Sequence, residues 1–170
     1  RPFDAVARGG CQGLVAPILQ HDYAIESYSR DKKRYEFAPL LKQGTFYPTE
    51  KDTIRFWAKG ARESMTAIGV RVFEVSQVRR MELDQAQMDE SGALGLRGQS
   101  KVETEMDYIE LTGRNPTFIV ADPPVSLERD KKRFFCTFWV DGNRTLRITV
   151  KDHYYNSVRT LLLDHPVVRL

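Results

Sequence analysis

The chain is poor in the residues that most site chemistry needs. Among 170 residues there are two cysteines and three histidines. Cys11 and Cys136 stand far apart without CxxC or Cys/His spacing, and His21, His153 and His165 are scattered. A zinc-type site needs converging ligands at defined spacing, so no metal is expected. Cys11 falls in a helical stretch and Cys136 inside a strand pattern, which favours buried free thiols over a disulfide. There is no Gly-x-Ser-x-Gly elbow and no phosphate-binding loop. Glycines at 92, 95 and 98 recur every third residue outside any strand–turn–helix context, and are not a dinucleotide fingerprint. These patterns give no argument for an enzyme, and no cofactor is expected within this chain.

An excess of one charge sign is also missing. Lys and Arg total 26 against 23 Asp and Glu, a net charge of +3, and the signs alternate through most of the sequence. That is too slight a surplus for a nucleic-acid footprint. No apolar run approaches the roughly 20 residues of a membrane helix. Neither nucleic acid nor membrane is expected as a partner. The start at Arg1, without Met or a signal-peptide pattern, reads as that of a fragment.

What is present is a globular composition, 41% hydrophobic and 29% charged, long enough for a real core. "FDAVARGGCQGLVAPI" is Ala- and Gly-rich without alternation and predicts a short helix stopped by Pro17. From Tyr23 onward the texture is that of short strands. "YAIESYS", a charged loop "RDKKR", a broken strand "YEFAPLLKQGTFYP" bending at Gly44, "DTIRFWA" and "AIGVRVFEV" follow in order. In the last of these Ile68, Val70 and Val72 share one face. A long insertion is read from about 78 to 115, with one strand at "KVETEMDYIEL". "KRFFCTFWVDGNRTLRITVKD" predicts two strands around a tight turn, Asp141 to Arg144 being the tightest hairpin. "VRTLLLDHPVVRL" predicts a last strand ending before Pro166. The fold class expected is all-β, an antiparallel β-sandwich with a short N-terminal helix.

Five segments in this order resemble the peptide-binding β-domain of DnaK-type chaperones, the seventy-kilodalton heat-shock family. "AVARGGCQG" is similar to the last helix of that family's ATPase domain. "IES" with Tyr28 resembles its Ile-Glu-Thr-Met segment, and "GTFYPTEK" its Asn-Thr-Thr-Ile-Pro-Thr-Lys stretch. "VDGNRTLRITVKD" resembles its Asp-Ala-Asn-Gly hairpin, and "DPPVSLERDKKRFFCTF" the segment before it. The resemblance covers nearly the whole chain except the insertion. It implies that residues 1–19 are the end of an upstream ATPase domain and its linker, and 20–170 the substrate-binding domain. Where the family has an acidic-ended Leu-rich linker this chain has "APILQHDYA", with Ile18, Leu19 and Asp22 the only traces.

The resemblance also implies a function. Extended apolar segments of unfolded client proteins would be held through their backbone, with one apolar side chain in a pocket. ATP would belong to the upstream domain, itself a partner, and the protein would be cytoplasmic. Carried over residue by residue, Ile25, Ser27 and Tyr28 lie on one side of the groove and Phe56, Trp57 and Ala58 on the other. Ile68 and Val70 floor the pocket with Leu161 beside them, and Tyr28 and Ala58 form an arch. Each apolar member reads equally as ordinary strand core. If Phe56 faces inward, period-2 geometry turns Trp57 outward. A second reading keeps the sandwich without an open groove, as an interaction or regulatory domain of an actin-like ATPase.

Overall fold

A computed structural model of the chain describes residues 17–29, 31–82, 86–88, 94–96 and 101–170. The regular elements among these residues are β-strands, paired antiparallel, so the fold is all-β. The predicted N-terminal helix and Cys11 lie outside the described residues. The chain divides into two compact units. One comprises Arg1–Gln20, Gln43–Lys59 and Leu127–Leu170; the other comprises His21–Lys42 and Gly60–Ser126.

The first unit is built on four strands. They are β3 (Ile54–Ala58), β10 (Phe134–Val140), β11 (Thr145–Tyr154) and β12 (Ser157–Arg169), in sheet order β12-β11-β10-β3. The alternation read from the sequence decides its core: Phe134, Cys136, Phe138 and Val140 of β10 are buried, with Leu146, Ile148 and Val150 of β11. Each such side chain contributes roughly 1.5–3 kcal/mol of transfer free energy. Cys136 is a free thiol, and burial pushes its pKa up to about 12. Ahead of these strands Leu19, fully buried, donates its N–H to Thr45 O at 2.9 Å and accepts Gly44 N–H at 2.8 Å. An isolated bridge, Ile18 to Phe46, continues this pairing. Residues expected to act as linker are therefore part of this unit's packing.

The last two strands differ from expectation in one turn and one end. The Asp141 to Arg144 loop is not the tightest hairpin, because four residues separate Val140 from Thr145. The Asp141 carboxylate holds the wider loop open, accepting the N–H groups of Asn143 at 2.9 Å and Thr145 at 3.0 Å. The tighter turn is Tyr155–Asn156, between the paired Tyr154 and Ser157, with Tyr155 at a φ of 52°. The last strand also does not stop before Pro166. It runs through it to Arg169, with Pro166 opposite Arg147. Proline is tolerated in β12 because it is the sheet's edge, where every second N–H position faces away from the ladder.

The second unit contains β1 (Asp22–Ser29), β2 (Arg34–Leu41), β4 (Ala67–Val70), β5 (Val72–Glu82), β6 (Ala86–Met88), β7 (Leu94–Leu96), β8 (Lys101–Glu110) and β9 (Thr117–Val120). Four form a sheet in the order β2-β1-β5-β8; β4 pairs with β9, and β6 with β7. The segment read as an insertion begins within β5 and ends beyond β8. These two strands pair from Phe73↔Glu110 to Glu82↔Lys101. Tyr23, Val72 and Ile119 are the unit's most buried large residues. Gly60 is required where the chain enters the loop before β4: a Cβ there would stand 2.7 Å from a Val125 methyl.

Candidate functional site

The sequence from Ala67 to Glu82 reads as one alternating strand, yet the chain changes partners at Arg71. Before it, β4 pairs with β9, Ile68 opposite Ile119 and Val70 opposite Thr117. After it, β5 pairs with β1, Val72 opposite Ile25. Arg71 itself accepts the Glu26 N–H through its backbone oxygen at 3.1 Å. Had the strand continued straight, Val70 would have stood opposite Ser27. Instead β1 loses its partner on that side. Among the described residues, Ser27, Tyr28 and Ser29 pair only with β2, at Glu36, Tyr35 and Arg34. The Glu26 N–H points away from β2, so period-2 geometry sends the Tyr28 N–H and C=O the same way. That is an open strand edge, short enough to resist aggregation but able to accept an added strand.

Arg71 also fixes the switch point through its side chain. Its Nη1 donates to Glu26 Oε2 at 2.8 Å, and Nε and Nη2 donate to the two Glu110 oxygens at 2.8 and 2.7 Å. The guanidinium lies 5.5 Å from the Phe73 ring centroid. Phe73 in turn meets Phe37 edge-on at 4.8 Å, and Phe37 stacks on Tyr108 at 3.9 Å. Below the switch, Val72 N–H donates to Thr112 Oγ1 at 3.1 Å and its C=O accepts Leu111 N–H at 2.9 Å. Nothing in the sequence singled out Arg71 or Thr112. The available signal was the Arg71–Glu26 and Arg71–Glu110 charge complementarity, invisible until the strands are paired.

The nine residues assigned from the resemblance fall in both units. In the second unit Ile25 is half-buried opposite Val72, and Ser27 is exposed. Tyr28 is half-buried with its ring edge-on to Tyr35 at 5.2 Å. Ile68 is half-buried and Val70 buried. In the first unit Phe56 stacks on Phe138 at 5.3 Å. Trp57 points to the opposite side of β3, as alternation requires, but it is not left to solvent. It packs on Phe135 at 4.9 Å and on His153 at 5.2 Å. Ala58 pairs with Phe134, and Leu161 occupies a register irregularity of β12 between Thr160 and Leu162.

The charged loop between β1 and β2 is less positive than its sequence suggests. Lys32 Nζ and Arg34 Nε both reach Glu36 Oε1, at 2.8 and 3.2 Å. The Lys32 hydrogen bond holds the Glu36 carboxyl below its ordinary value of 4.5. Arg71 does the same to Glu110, and Lys51 holds Asp164 below its ordinary value of 3.8. Groups with a lowered folded pKa stabilise the protein above the ordinary carboxylate range, and that contribution is lost as pH falls through it. The urea midpoint is therefore expected to hold steady from pH 7 to about 5 and to decline below that. Glu110→Gln should flatten part of the decline; an unchanged slope in that variant would remove the Arg71 pair from the account.

Comparison with protein-family models, curated proteins and solved structures finds no match. Among the described residues no helix is long and apolar enough to cross a membrane. Nor do three or more His, Cys, Asp or Glu side chains converge there as a metal site would require.

Proposed function

We propose that this chain is the peptide-holding module of a DnaK-like chaperone, an antiparallel β-sandwich that binds extended apolar segments of unfolded proteins in the cytoplasm. ATP would be bound by an upstream ATPase domain. The observation that carries the reading is the open edge of β1 at Tyr28, created by the partner switch at Arg71. A client segment adds there as a strand, its main chain bonding the Tyr28 N–H and C=O. Ile25, Ile68 and Val70, all in the same unit, are the candidates for its apolar anchor. Sequence tolerance follows, because main-chain bonds carry no side-chain information.

The test is the titration of a labelled extended peptide with a Leu-rich centre. Wild type should bind it saturably. Ile68→Phe should weaken binding tenfold or more, on the order of the 1.5–3 kcal/mol that burying one Leu contributes. Unchanged affinity in a folded Ile68→Phe variant would exclude Ile68 from the site. A second reading, an interaction or regulatory domain of an actin-like ATPase without an open groove, is favoured by one observation. Phe56 and Trp57 already have ring partners within their own sheet. Under that reading the folded wild type binds no peptide in the same titration.

A further inference from the structure

The open edge of β1 borders a sheet face that is rich in rings. Tyr28 stands opposite Tyr35 and Glu26 opposite Phe37, so these four side chains share one face. Phe73, opposite Ala24, lies on the same face, and so do Tyr108 and Met106 of β8, opposite Val75 and Gln77. Tyr35, Phe37, Tyr108 and Met106 are exposed there. A segment that bonds both the N–H and the C=O of Tyr28 runs antiparallel to β1 and sets one of its residues directly opposite Tyr28. In such a bonded pair the Cα atoms are about 5.5 Å apart, and both side chains lie on the same face.

The surroundings of that client position are defined by three residues. Tyr28 is half-buried, and among the described residues its one ring partner is Tyr35, edge-on at 5.2 Å on the β2 side. The row Tyr35–Tyr28 therefore ends at the open edge with no third ring. Glu26 is the diagonal neighbour on β1, and Arg71, opposite Glu26, is the last residue on the β5 side before the edge opens. These two are tied together, Arg71 Nη1 donating to Glu26 Oε2 at 2.8 Å. A carboxylate added opposite Tyr28 meets Glu26, and an ammonium meets Arg71. A ring repels neither. Arg71 already lies 5.5 Å from the centroid of one ring, Phe73, and a guanidinium is a favourable neighbour for another.

We infer that the open edge selects an aromatic side chain at the client residue opposite Tyr28, which extends the ring row Tyr35–Tyr28 by one. The inference rests on the peptide-holding reading and adds to it a side-chain preference that main-chain bonding lacks. Cross-strand ring pairs are favoured over other apolar pairs through the geometry of their π faces and edges, beyond the area they bury.

The test uses the full chain and three labelled extended peptides. One is the Leu-rich parent; the others replace one central Leu by Phe or by cyclohexylalanine, a ring of similar size without π electrons. The Phe peptide should bind about three- to tenfold tighter than the cyclohexylalanine peptide, the range expected of one aromatic pair. Tyr28→Phe should keep that preference. Tyr28→Leu should abolish it while the parent peptide still binds, because the main-chain bonds at position 28 are unchanged. Equal affinity for the Phe and cyclohexylalanine peptides in wild type would overturn the inference and leave the peptide-holding reading standing. A preference that survives in Tyr28→Leu, or one lost in Tyr28→Phe, would equally overturn the pairing with Tyr28. Failure of all three peptides to bind wild type would overturn the peptide-holding reading itself, and the preference with it.

Discussion

Arg133→Ala should destabilise the protein by about 3–5 kcal/mol, the usual cost of removing one partner from a buried ion pair. Arg133 and Asp152 are each only 1% exposed. Arg133 Nε and Nη2 donate to the two Asp152 oxygens at 2.8 and 3.2 Å, and Nη1 donates to Asp130 at 3.0 Å. The guanidinium lies between two rings, 4.7 Å from the Phe134 centroid and 4.5 Å from that of Tyr154. Truncation leaves Asp152 buried with, among the described residues, only the longer 3.4 Å ion pair to Arg159. It also opens a gap between the rings. The measurement is the urea midpoint at pH 7. Arg133→Met combined with Asp152→Asn should lose less than the two single changes added together, because both act on one network. Strict additivity, or a midpoint within error of wild type, would mean that the network carries little of the stability.

Phe138→Ala should cost a similar amount, about 3–5 kcal/mol, by a different mechanism. Phe138 has no exposed surface and stands at the middle of its sheet, opposite Ile148 on one side and Ile54 on the other. Its ring stacks on Phe56. Removing it loses transfer free energy and leaves a cavity that neighbouring strands, tied by their ladders, cannot collapse into. Val158→Ala, at a position 62% exposed, should shift the midpoint by no more than about 0.5 kcal/mol.

The strand content was legible because side-chain alternation is a local property. Phe134, Cys136, Phe138 and Val140 lie two apart in sequence and share a face in any strand. The position of Trp57 was only half legible. Alternation gave its side of β3, but its partners Phe135 and His153 come from strands nearly 80 residues or more away. Arg133 entered the sequence reading only within the runs "DPPVSLERDKKRFFCTF" and "KRFFCTFWVDGNRTLRITVKD", where nothing set it apart from its exposed neighbours Lys131 and Lys132. What separates it from them is Asp152 on the paired strand.

By itself the sequence determined the all-β character, the paired runs around "DGN", and the face on which β10 and β11 bury their apolar residues. Each follows from periodicity and turn chemistry within a few residues. Only the tertiary structure decided the partner switch at Arg71. The alternation of Ile68, Val70 and Val72 is unbroken through it, and what changes is which strand lies alongside. The tolerance of Pro166 was decided the same way, since it depends on β12 being an edge. Pairing is a property of the neighbouring strand, and a linear pattern holds no record of its neighbour.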